Sequence, residues 1–166
     1  MKLAKTTIGI LLAGAFALTA QAEDAGQLDG AKVGHGTMDF DAAKKIAAEK
    51  KLPLLLNFTG SDWCGWCKIM DKNVFAGEAW KEYAKENALL VTIDFPRGKN
   101  IVPAKWKERN SQLKKYFDVR GYPTYVIVSP DGATKLGHLM ANRGKNPESF
   151  IKEVQKVLRK AGDQQR

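Results

Sequence analysis

Apolar positions recur along the chain with two different periods, and the switches between them mark its elements. Phe40, Ala43, Ile46 and Ala47 fall at helical spacing, with Asp39 or Thr37 placed to cap the start. The run from Leu52 to Thr59 is short and almost continuously apolar, the pattern of a strand buried on both faces. Gly60-Ser61-Asp62 ends it, and the stretch from Trp63 to Met70 continues, in its second half, as a helix. Ala79 to Glu86 predicts another short helix, and Leu89 to Asp94 a second strand, closed by Pro96 and Gly98. From Ala104 to Phe117 the spacing is helical again, with Trp106, Leu113, Tyr116 and Phe117 as apolar members. Gly121 to Thr124 opens a third strand, Tyr125 to Ser129. Pro130-Asp131-Gly132 is turn chemistry, and Thr134 to Met140 can return as a hairpin partner. Asn146 caps a last helix with Pro147 at its first position and Phe150, Ile151, Val154, Val157 and Leu158 as its apolar face. Helices alternating with buried strands, then an antiparallel hairpin, predict an α/β fold: a central mixed β-sheet flanked by helices on both faces.

Ahead of this pattern the chain reads differently. Lys2 and Lys5 form a basic head, Ile8 to Leu18 is apolar, and Ala20-Gln21-Ala22 is a small-residue cleavage pattern before Glu23 and Asp24. That layout predicts a signal peptide over residues 1–22. A membrane anchor is the alternative, but the apolar run is shorter than the roughly 20 residues a spanning helix needs. Residues 23–37, with Gly26, Gly30, Gly34 and Gly36, predict a flexible lead-in with room for one short strand. Residues 38–162 are read as one domain and 163–166 as a polar tail. The expected location is periplasmic or otherwise exported, with no stable membrane insertion after signal cleavage, and a monomer is expected. The formal net charge of +9 favours solubility and acidic partners. Its lysines are scattered over amphipathic segments such as Lys44-Lys45, Lys114-Lys115 and Lys152 to Lys160. No basic-aromatic recognition motif accompanies them, so nucleic acid is not an expected partner.

Two cysteines occur, Cys64 and Cys67. Exported domains stapled by disulfides use several bridges between distant segments, whereas this bridge would close a tiny loop and remove little unfolded-state entropy. Such a pair can hold half a metal site, attach haem, or cycle between dithiol and disulfide. Haem attachment needs histidine directly after the second cysteine, where this chain has Lys68. A tetrahedral zinc site needs two further ligands, and the imidazoles, His35 and His138, are distant and unpaired in sequence. No metal and no cofactor are expected. Redox cycling fits the location. The pair follows a buried strand and opens a helix, where unpaired backbone N–H groups and the helix dipole favour a thiolate. Cys64 is then the partly exposed nucleophile, and Cys67, one turn in, the more buried thiol that resolves a mixed disulfide. Gly65 keeps the intervening turn small, and Lys68 reads as a solvated surface lysine, the alternative being a source of positive potential near the thiolates.

Trp63-Cys64-Gly65-Trp66-Cys67-Lys68 resembles the active-site motif of the thioredoxin superfamily, and Gly121-Tyr122-Pro123-Thr124 resembles its cis-proline loop. Asn57 to Cys64 is similar to exported bacterial thioredoxin-like proteins. The likeness runs roughly from Asp39 to Lys160. It implies a thioredoxin-like fold, with Cys64 attacking, Cys67 resolving and the two joined as a redox-active disulfide. It implies that Pro123 faces that disulfide after a cis bond from Tyr122, turning the backbone so that it can pair with an extended substrate. Trp63, Gly65, Trp66, Tyr122 and Pro123 are the implied substrate-binding residues, the tryptophans forming an apolar rim. The alternative for both tryptophans is a place in the core.

Two departures stand out. In thioredoxins a buried acid in the strand before the motif moves protons for the second cysteine. That place falls here at Asn57, which cannot take a proton. Asp62 lies nearer the motif but reads as solvated and not as a general base. The segment from Asp94 to Pro123 is longer than in a minimal thioredoxin. With Arg97, Lys99, Lys105, Trp106 and Lys107 it is either a partner surface or an ordinary inserted helix. The leading function is a thiol–disulfide oxidoreductase that exchanges disulfides with exported proteins through Cys64 and Cys67, reduction or isomerisation being favoured over oxidation. Its partners would be protein dithiols and disulfides and a redox partner that the sequence does not identify. The alternative is a non-catalytic partner-binding module with a static Cys64–Cys67 disulfide. A peroxide-reducing thiol enzyme is disfavoured, because no peroxide-binding arrangement accompanies Cys64.

Overall fold

The structure is a computed structural model that describes residues 30–164; the signal peptide expected over 1–22, the first part of the lead-in and the last two residues lie outside the described residues. At its centre β1 (Leu54–Thr59) pairs in parallel with β2 (Leu89–Asp94) and antiparallel with β3 (Thr124–Val128). β3 pairs antiparallel with β4 (Lys135–Met140), so the order is β2-β1-β3-β4. β1 begins at Leu54, two residues later than the apolar run suggests. Pro53 has no N–H to donate, and it meets the sheet only through its carbonyl, which accepts the Leu89 N–H at 3.0 Å. β3 stops at Val128 because Ser129 turns: its N–H donates to the Thr134 carbonyl at 2.9 Å and its hydroxyl to Asp131.

Among the described residues five α-helices cover the sheet: α1 (Phe40–Lys50), α2 (Gly65–Met70), α3 (Glu78–Asn87), α4 (Ala104–Tyr116) and α5 (Pro147–Gln164). Asp39 caps α1, its carboxylate accepting the Ala42 N–H at 3.0 Å. Thr37 has another task. It is buried and adds a bridge to the outer edge of β2, donating to the Leu90 carbonyl at 3.1 Å and accepting the Thr92 N–H at 2.7 Å. The described end of the lead-in is therefore fastened to the sheet. α5 runs through Gln164, which makes the start of the expected polar tail helical. Between α2 and α3 lies a π-helical segment, Asp71–Phe75, that the sequence pattern does not announce.

Strand alternation divides the core in two. Leu54, Leu56 and Phe58 face the side of α1 and Phe117. Leu55, Tyr125 and Ile127 face the other side, with Met70, Trp80, Phe150 and Val154. Asn57 and Thr59 share the parity of Leu55, so they face the α2 side at the end of β1. The registers Thr59↔Asp94, Phe58↔Thr124 and Thr124↔Met140 bring the ends of β1, β2 and β4 and the start of β3 to one end of the sheet. The cysteine motif leaves the sheet at that end.

Candidate active site

The chain leaves β1 in a turn whose hub is Gly60. The Gly60 carbonyl accepts the N–H groups of Trp63 at 3.2 Å and Cys64 at 2.8 Å. A side chain at Gly60 would meet the Trp63 indole at 2.5 Å, so the close approach of the ring requires glycine. Trp63 is held from several directions. Its indole N–H donates to the Phe95 carbonyl at 2.9 Å, and its ring meets Tyr122 edge-on at 5.7 Å. The Arg97 guanidinium lies 4.6 Å over the ring. The side chain thus ties together the loops after β1, after β2 and before β3, while leaving 37% of its surface exposed. It is a brace that stays partly open to solvent.

Cys64 is the N-cap of α2. Its sulfur accepts the Cys67 N–H at 3.2 Å and is bonded to Cys67 Sγ, with the two Cα atoms 5.3 Å apart. The sequence pattern predicts a partly exposed Cys64 beyond the helix start. Instead it is only 6% exposed, against 1% for Cys67, because its sulfur turns inward onto the first turn. Gly65 and Trp66 beside it are exposed, and Arg143 lies 5.2 Å over the Trp66 ring. Nothing approaches within 4 Å of the position a side chain at Gly65 would take, so packing does not demand glycine there. The Tyr122–Pro123 bond is cis, and Pro123, buried just before β3, sits at the sheet end from which the motif emerges. Tyr122 is packed between Trp63 and Phe95, whose ring centre lies 5.4 Å from its own.

Asp62 and Lys68 are fastened rather than merely solvated. The Asp62 carboxylate accepts the N–H groups of Arg97 at 3.1 Å and Gly98 at 2.7 Å, while Lys68 Nζ donates to the Asp62 carbonyl at 2.8 Å. Desolvation pushes the Asp62 acid upward, but the Gly98 and Arg97 N–H groups and the Lys68 charge outweigh it and hold the group below its usual range. Asp62 therefore clasps the loop after β2 to the motif. In the long segment that follows, Trp106 is buried and the Asn110 amide donates to the Asp94 carbonyl at 3.0 Å, so α4 anchors the end of β2.

Beneath the disulfide the structure gathers polar groups on the α2 side of the sheet. Asn57 is buried, and among the described residues its Oδ1, the Thr59 hydroxyl and the Tyr125 hydroxyl have no hydrogen-bond partner. A cleft of about 400 Å³ is lined by Asn57, Thr59, Ser61, Asp71 and Thr92 and reaches the surface beside Lys81. Asp94, also buried, accepts the Ser61 N–H at 2.9 Å and the Ser61 hydroxyl at 2.6 Å. Burial first, and the Asp94 charge second, raise the Asp71 acid from 3.8 to about 6. Burial and the Asp71 charge push the Tyr125 phenol well above its usual range. Sequence reasoning did not select Asp71. The signal for it was present: Asp71 stands four residues after Cys67, one helical turn below it on the same face. The imidazoles stay apart, with His35 two residues before the Thr37 bridge to β2 and His138 on β4. Among the described residues no group of histidine, cysteine and acidic side chains could hold a metal ion.

A disulfide across the first turn of a helix, at the end of a four-stranded mixed sheet and beside a cis-proline loop, defines a thioredoxin-fold protein with a C-x-x-C site. The chain belongs to the Thioredoxin-like family, whose sequence model matches residues 36–130. Disulfide bond reductase DsbH of Chlamydia pneumoniae is 33% identical over 105 residues, covering 63% of this chain and 60% of the relative. The thioredoxin-related protein DsbJ of the same organism is 27% identical over 96 residues, covering 55% of this chain and 26% of the relative. This chain thus spans less than two thirds of either. A solved structure of a DsbH oxidoreductase superposes with a TM-score of 0.67 at 26% identity, covering 80% of this chain and 84% of that one. A thioredoxin from Thermus thermophilus, at 19% identity and a TM-score of 0.54 over 76% of this chain and 89% of its own, supports the fold alone.

Proposed function

We propose that the chain is a thiol–disulfide oxidoreductase that reduces protein disulfides through Cys64 and Cys67. The observation that carries the proposal is the placement of the Cys64 sulfur at the N-cap of α2, accepting the Cys67 N–H. Once the bond is reduced, that N–H and the helix start favour a thiolate at Cys64. The thiolate attacks one sulfur of a substrate disulfide, and the other leaves as a thiolate and takes up a proton. Cys67 then loses its proton, attacks Cys64 Sγ and releases the second substrate sulfur, leaving a substrate dithiol and the Cys64–Cys67 disulfide. Asp71, one turn below Cys67 in a polar cleft, is the group that accepts the Cys67 proton and passes it towards solvent. Trp63, Trp66, Tyr122 and Pro123 form the substrate-facing surface, and Gly65 leaves the approach to Cys64 open. Likeness to a protein named as a disulfide bond reductase supports this direction. Each turnover leaves the pair oxidised, so a second dithiol must supply two electrons.

The direction is tested by equilibrating the pair with glutathione. A potential near thioredoxin's, about −270 mV, is expected, and one near about −120 mV would make the protein a disulfide donor instead. The low exposure of Cys64 favours a second reading, a binding module with a static disulfide. In that case dithiothreitol-driven insulin reduction would show no rate above background. The substrates are proposed to be exported proteins, on the leader pattern of residues 1–22. A secreted chain whose amino-terminal residue is Glu23 is the expected result of N-terminal sequencing; a chain still beginning at Met1 would count against export with cleavage.

A further inference from the structure

The reactive end of the sheet carries a charge arrangement that the exchange chemistry itself does not need. Arg97 stands in the loop after β2, one edge strand, and Arg143 in the loop after β4, the other. The disulfide follows β1 and the cis-proline precedes β3, so the two central strands place the site between the arginines. Each guanidinium is drawn inward over a tryptophan of the motif, Arg97 over Trp63 at 4.6 Å and Arg143 over Trp66 at 5.2 Å. Both arginines are exposed, and neither has a carboxylate partner among the described residues. Asp62, the exposed acid in the turn after β1, is already engaged by the Arg97 and Gly98 N–H groups and by Lys68, and Asp118, in the loop before β3, pairs with Arg120. Among the described residues Trp63, Trp66, Ile69 and Met140 are four of the five exposed large hydrophobic residues, and all four lie on α2, its preceding turn or the adjoining end of β4.

An apolar strip with a free guanidinium at each side fits one kind of occupant. We infer that the segment recognised at the disulfide is extended, with its cysteine among apolar side chains and an acidic residue on either side. The outer strands stand three inter-strand spacings apart, roughly 14 Å, which an extended chain covers in about four residues. The acids therefore fall about two residues before and after the cysteine. A guanidinium held over an indole face keeps N–H groups available to bind a carboxylate. This inference rests on the proposed exchange reaction, and its test separates the two.

The probes are three peptides with blocked ends, each carrying its cysteine as the methyl disulfide, with Glu, Gln or Lys two residues to either side. The reduced protein is mixed with each, and the second-order rate is followed by tryptophan fluorescence. The order Glu, Gln, Lys is expected, with about tenfold between the extremes at low salt and about twofold at high salt, as screening of exposed pairs requires. Arg97→Gln with Arg143→Gln should bring the extremes to within about twofold. Lys156→Gln with Lys160→Gln on α5, which removes the same net charge, should keep the tenfold ratio. Equal rates for the three peptides, or equal losses in the two double variants, would overturn the inference while leaving the exchange reaction standing. If no peptide reacts, the exchange reading falls. Binding of the same peptides with serine in place of cysteine then decides the docking alone: preference for Glu upholds it and no preference overturns it.

Discussion

Cys67→Ser is expected to halt the reaction halfway, leaving substrate covalently bound through Cys64, whereas Cys64→Ser should trap nothing. The difference follows from the two positions. Cys64 caps α2 beside exposed Gly65 and Trp66 and is 6% exposed, while Cys67, bonded to it, lies inside the first turn and is 1% exposed. An incoming disulfide therefore meets Cys64 first, and only an intramolecular thiol can release it quickly. Both variants should lose insulin reduction by about 10³-fold or more, since either removes a member of a unit that acts as one. Neither should unfold the protein. The bridge spans three positions, and a loop of that size contributes only about 2 kcal/mol in the chain-entropy account. Non-reducing gel electrophoresis and intact mass read the trapped adduct. Trapping by Cys64→Ser through Cys67 would reverse the assigned roles, and trapping by neither would support the static disulfide.

The parts of this arrangement legible in the sequence are those set by local pattern. β1 and β3 are buried along their whole length, so their apolar runs show without any partner. The motif announces itself by spacing, and Asp39 before α1 by its capping chemistry. What stayed hidden depends on neighbours distant along the chain. Asp62 looks like a solvated acid until the loop after β2 brings the Arg97 and Gly98 N–H groups against it. Arg97 and Arg143 look like scattered charge until the sheet sets them on opposite sides of one site. The inward turn of the Cys64 sulfur is likewise a matter of rotamer and helix start, which spacing alone does not fix.

Asp71 is the plainest case of hidden chemistry, because its acidity is made by burial and by Asp94 on β2, and its removal should have opposite effects on stability and on rate. The groups around it are Cys67 above it on α2, Asp94 at the end of β2, Tyr125 on β3 and Lys81 across the cleft from α3. An unfolded chain releases the Asp71 proton near 3.8, whereas the native protein holds it to about 6. Over that window the native state binds more protons than the unfolded one, so stability falls as pH rises and the whole cost is present above it. Asp71→Asn removes the cost. It should leave stability unchanged near pH 4 and raise it at pH 8 by an amount on the order of 1 kcal/mol, the group being only half-buried. The resolving step should move the other way. In the native protein its rate should rise as Asp71, one helical turn after Cys67, becomes a base near pH 6. In Asp71→Asn it should fall by about 10²-fold at pH 7 and rise only where an ordinary thiol titrates, about 8.5. Alkylation of Cys64 by iodoacetamide reads the attacking thiolate separately, so a change confined to the lifetime of the mixed disulfide assigns the loss to Cys67. Unaltered lifetime and pH profile would remove Asp71 from the proton path and leave Cys67 to lose its proton directly to solvent.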